Sequence, residues 1–139
     1  MAELELWYPD AVRDEAPPST WGTYTDLGEP KFLLHTTEGT AGVYTPDPRT
    51  GDDRRYFGNL GTWPTYTLAK RLGIWRIFQH LPANRSAMSL RNLSGGVQTN
   101  RDNVTQVEIA WKAVEIPVLP DAALDVLAEL LAWEHRVRG

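Results

Sequence analysis

The chain is 139 residues long, enough for one domain with its own core, and is 42% hydrophobic and 23% charged. It contains no cysteine, which excludes disulfides, thiolate metal sites and a cysteine nucleophile. The formal net charge of −4 and pI of about 5.3 argue against nucleic acid as a partner, and no stretch approaches the roughly 18 apolar residues of a membrane span.

Residues 1–30 carry Pro9, Pro17, Pro18, Gly22, Gly28 and Pro30, with seven acids against one base. This composition predicts an irregular arm that wraps the remaining domain, 31–139, with Trp7, Tyr8, Trp21 and Tyr24 as anchors. The first ten residues show neither the basic start nor the apolar run of an export signal. Lys31–Thr36 is a short apolar run after a proline and predicts a buried strand. His35 falls at its C-terminal end, where α/β sheets usually place their chemistry. Thr40–Gly61 is rich in proline and glycine and predicts a long loop that lines a cleft.

Tyr66–Ala69 and Trp75–Gln79 predict two strands around a turn at Lys70–Gly73. Alternation puts Trp75, Ile77 and Gln79 on one face, and Arg76, Phe78 and His80 on the other. Ala83–Arg91 reads as a short helix with Ala87, Met88 and Leu90 inward, and Gly95-Gly96 breaks the chain. Val104–Trp111 reads as a strand with Val104, Gln106, Glu108 and Ala110 on one face. Pro120-Asp121 caps a final helix whose apolar stripe is Leu124, Val126, Leu127, Leu130, Leu131, Trp133 and Val137. The order of elements implies an α/β domain, a mixed central β-sheet flanked by helices.

Zinc catalysis needs about three protein ligands and an open position. The three histidines, His35, His80 and His135, form no His-Glu-x-x-His or His-x-His pair. Spacing therefore leaves His35 as either a metal donor or a strand-end histidine bonded to backbone. Glu108 lies in mid-strand, where an isolated charge is costly to bury. It is an ordinary residue on a solvent face, or a proton-transfer group on a face that opens into a cleft. Neither Gly-x-Ser-x-Gly nor a phosphate-binding glycine loop is present. From Arg54 to Arg101 there are eight basic residues and no acid. They offer a positive surface to an anionic partner, or are scattered solvated arginines. Combined with the aromatics, they also fit a single-stranded nucleic-acid binder or a phage structural protein.

Three segments together resemble one family. They are Leu33-Leu34-His35-Thr36-Thr37-Glu38-Gly39, Gln79-His80-Leu81-Pro82 followed by Asn84–Asn92, and Gly95-Gly96-Val97-Gln98-Thr99-Asn100-Arg101-Asp102-Asn103 running into Val104–Ile109. They are similar to type 2 N-acetylmuramoyl-L-alanine amidases, the group of peptidoglycan recognition proteins, and most of all to the amidase domains of actinobacterial phage endolysins. The resemblance implies zinc-dependent cleavage of the amide bond between N-acetylmuramic acid and L-alanine in bacterial peptidoglycan. His35 would be a zinc ligand, Glu108 the proton-transfer group, and Thr36, Asn100 and Arg101 substrate contacts. It implies a lysin held in the host cytoplasm before it reaches the wall. The family takes its other two zinc ligands from a segment after the helix that here spans Asp121–Arg138, and this chain ends at Gly139. A non-catalytic peptidoglycan-binding module is the alternative expectation.

Overall fold

In the computed structural model, the described residues are 4–25, 28–36, 63–88, 103–114 and 116–139. Among these residues five strands form one sheet: β1 (Val12–Arg13), β2 (Lys31–Thr36), β3 (Tyr66–Arg71), β4 (Ile74–Gln79) and β5 (Val104–Ile109). Their order is β1-β4-β3-β5-β2. The β3–β4 pair is antiparallel and the other pairs are parallel, so the sheet is mixed as expected. One long helix among the described residues, α1 (Asp121–Arg138), packs on one face. No helix among the described residues is long and apolar enough to cross a membrane.

Period-two alternation sorts the side chains as the sequence suggests. Tyr66, Leu68, Trp75, Ile77, Val107, Ile109 and Trp111 meet Ala123, Leu127, Leu130 and Trp133 of α1 in the main core. Burying a leucine such as Leu130 contributes on the order of 1.5–3 kcal/mol. Ala69, Phe78 and Ala110 cluster on the opposite face. The β3–β4 turn is tighter than the sequence suggests, because Leu72 and Gly73 both take positive φ, 50° and 80°. Two such residues make the twist that a two-residue hairpin needs.

Three expectations need correction. The arm is not wholly irregular, since Val12 and Arg13 pair with Phe78 and Gln79. The Gln79 side chain zips the arm to the sheet, accepting from Tyr8 N at 2.7 Å and donating to Leu6 O at 3.0 Å. Ala83–Met88 is not helical. Ser86 instead bridges to Gly22, and a Cβ on Gly22 would lie 2.1 Å from Ser86 Oγ. In α1, Leu124, Leu131 and Val137 are exposed and Glu134 is buried in their stead, and Pro120 caps the helix without a side-chain hydrogen bond. Glu134 is drawn inward by Tyr66, distant in sequence, and by Arg138, one turn further along the helix. Tyr66 Oη donates to its Oε1 at 2.5 Å and Arg138 to its Oε2 at 2.7 Å. Arg138 also donates to Thr105 Oγ1, Asn103 O and Asn103 Oδ1, which pins the last helical turn to the start of β5.

Candidate functional site

His35 and Glu108 are far apart in sequence, and the topology makes them neighbours. β2 and β5 are adjacent and parallel, and their register sets His35 opposite Glu108. Each is the second-last residue of its strand, so the pair sits at the C-terminal ends, on the face away from α1. His35 Nδ1 lies 2.5 Å from Glu108 Oε2, with side chains 20% and 11% exposed. An imidazole N–H donating to a carboxylate is a charge-assisted hydrogen bond, which fixes both side chains. The other ring nitrogen, Nε2, is buried and has no hydrogen-bond partner among the described residues.

That unpartnered nitrogen suits a metal donor, and its Nδ1–carboxylate contact is the kind that orients a ligating imidazole. The described residues do not complete a zinc site around it. Among the described residues no group of three His, Cys, Asp or Glu side chains stands close enough to hold a metal ion. All three histidines are described, and only His35 is at this pair. Both nitrogens of the fully buried His80 are engaged, Nε2 with Thr67 Oγ1 at 2.8 Å and Nδ1 with Asp14 O at 2.9 Å. His135 is exposed in the last turn of α1, where it lines a cavity of about 250 Å³ with Phe32, Leu131 and Arg138. The described residues supply one imidazole where a zinc site needs about three ligands.

Thr36 follows His35 at the strand end. Its register partner is Ile109, a member of the α1-side core, so alternation turns it away from His35 and Glu108. Asn100, Arg101 and the loop at 40–61 lie outside the described residues. Of the basic stretch, Arg71 and Arg76 on the β3–β4 hairpin share the face of Thr67 and Phe78, and Arg76 is exposed. Sequence reasoning missed Thr67, His80 and Asp14 as a connected polar group behind Glu108. The signal available for it was a histidine predicted on the same face as Phe78.

No family model and no curated protein matches the chain. Among solved structures, the chain is similar to the crystal structure of a selenomethionine derivative of AmpD, with a TM-score of 0.63 and 19% sequence identity. The match covers 98% of this chain and 80% of that one. At this identity the likeness establishes the fold, and the chain shares the fold of AmpD.

Proposed function

We propose that this chain is a cell-wall domain that acts on the amide bond between N-acetylmuramic acid and L-alanine of bacterial peptidoglycan. The observation that carries this reading is the His35–Glu108 pair, joined at the C-terminal ends of two parallel strands. Its setting supports it: the fold is that of AmpD, itself an N-acetylmuramoyl-L-alanine amidase. Glu108 would take the proton from the water that attacks the amide carbonyl and return it to the leaving amine. His35 would hold that carboxylate in place through Nδ1–H. Arg76, on the same face, would favour a substrate bearing carboxylates. Zinc is the group that the resemblance adds. The described donors alone do not complete its site, so the roles of Glu108 and His35 stand on their own contact. A phage lysin is the finer reading, and it rests on the sequence motifs.

The test is release of peptide from purified muropeptides and from insoluble peptidoglycan, with zinc in excess and again with chelator. Cleavage between the lactyl group and L-alanine, abolished in Glu108→Gln, is the expected result. A chain that sediments with peptidoglycan but releases nothing would sink the hydrolase and establish the second reading, a binding module. That second reading is favoured by the single imidazole at the site. Retention of single-stranded DNA at moderate salt, with no affinity for peptidoglycan, would overturn both.

A further inference from the structure

Glu108 has two flanks, and His35 occupies only one. The strand registers join His35, Glu108, Thr67, Phe78 and Val12 into one row across all five strands. Side chains in one row share a face of the sheet. Thr67 therefore stands beside Glu108 on the side away from His35.

The hydrogen-bond partners fix what Thr67 offers there. Nδ1 of His80 faces the backbone carbonyl of Asp14 at 2.9 Å and the Asp14 carboxylate at 3.8 Å, and both can only accept. Nδ1 thus carries the hydrogen, and in the neutral ring Nε2 accepts from the Thr67 hydroxyl. The imidazole cannot easily turn. His80 is fully buried, Trp63 lies against it at 5.3 Å, and its backbone is tied to Thr65 O and Ala16 N. With its hydrogen committed to His80, the Thr67 hydroxyl has only oxygen lone pairs left to offer any other neighbour. Thr67 and His80 have no exposed surface and Asp14 has 5%, so this orientation is bought with buried polar groups that an apolar pair would avoid.

We propose that Thr67 is a positioning residue for Glu108, held in an acceptor-only orientation by His80. A lone-pair oxygen repels a carboxylate on one flank, while the His35 N–H attracts it on the other. Together they keep the carboxylate turned to His35. The relevance of this to cleavage rests on the function proposed above; the positioning itself does not.

The test uses the full chain with 15N-labelled histidine. The His35 Nδ1–H proton bonded to a carboxylate gives a strongly deshielded signal, assigned by its loss in His35→Gln and Glu108→Gln. In Thr67→Val, which keeps the shape and removes the oxygen, its exchange with water should be at least about tenfold faster. Thr67→Ser should restore the slow exchange. His80→Asn, which keeps a donor for Asp14 O and removes Nε2, should follow Thr67→Val, and it carries the test if that variant does not fold. Where cleavage is measurable, Thr67→Val should lower kcat about tenfold at unchanged KM, with Thr67→Ser near the parent. Unchanged exchange in a folded Thr67→Val, a serine variant that behaves like valine, or no deshielded proton in the parent would each overturn the proposal. A parent that shows the exchange pattern but cleaves nothing refutes the function and leaves the positioning standing.

Discussion

On the face covered by α1, the buried Glu134 receives a hydrogen bond at each oxygen, and Arg138 donates to four acceptors. On the opposite face, His35 and Glu108 share one contact, and Nε2 of His35 meets no partner among the described residues. Both faces bury carboxylates, and on the first a donor meets each oxygen of Glu134. A fully paired ion holds an element in place, because removing any member strands a charge. A pair with an open valence is poorly suited to holding structure and is available to a ligand. The contrast separates structural polarity from chemical polarity within one small sheet.

The comparison can be broken from either side. The largest effect is expected at Glu108: Glu108→Gln should lower peptidoglycan amide cleavage by about 10²–10⁴-fold, as loss of a general acid–base group does, with little change in urea unfolding. Equal loss of stability and activity would place Glu108 with the structural charges. Glu134→Ala should do the reverse. It leaves Arg138 and Tyr66 buried without their shared partner and should cost about 3–5 kcal/mol in urea unfolding, without moving the His35 Nδ1–H signal. Gly22→Ala drives a methyl into Ser86, which is 1% exposed. It should cost about 1–3 kcal/mol by the same measurement.

The fourth prediction concerns alkaline pH. Burial first, then the neighbouring Glu134, pushes the Tyr66 hydroxyl well above its usual 10.0, and burial likewise raises Tyr24. Above pH 10 the unfolded chain releases protons that the native chain still holds. Stability is therefore complete below pH 10 and falls as pH rises beyond it, until the native tyrosines themselves titrate. Tyr66→Phe should flatten that fall in thermal melts while costing about 1–3 kcal/mol at neutral pH for the unpaired Glu134 oxygen. The smallest effect is at the hairpin turn. Leu72 is 92% exposed with φ of 50°. Leu72→Asn, which tolerates that conformation better, should raise the midpoint of urea unfolding by an amount equivalent to about 1 kcal/mol, with activity unchanged.

Much of the sheet was legible because alternation is local. The faces of β4 and β5 follow from Trp75, Ile77, Val107 and Ile109 alone. The pairing of His35 with Glu108 was not legible from spacing, because β5 inserts between β3 and β2, and the sequence carries no local mark of that order. The same holds for β1, whose two residues are too few for a period, and for Ala83–Met88, where a bridge to Gly22 overrides helical propensity. The phase of α1 was misread by part of a turn. A leucine count favours Leu124 and Leu131 inside, but the inward place of Glu134 is set by Tyr66 and Arg138. The engaged ring of His80 depends on Asp14 and Thr67, one of them in the arm.

The strand order also has a consequence for the newborn chain. β1 and β2 leave the ribosome before the other three strands, yet among the described residues they are the outermost strands of the sheet. Val12 must wait for Phe78, and Lys31 for Val104, before either finds its backbone partner. Until then the Phe32-Leu33-Leu34 run is an unpaired apolar strand. Because such distant pairings are slow to close and leave edges open to other chains, expression at low temperature should improve the yield of folded protein more than for a helical domain of equal size.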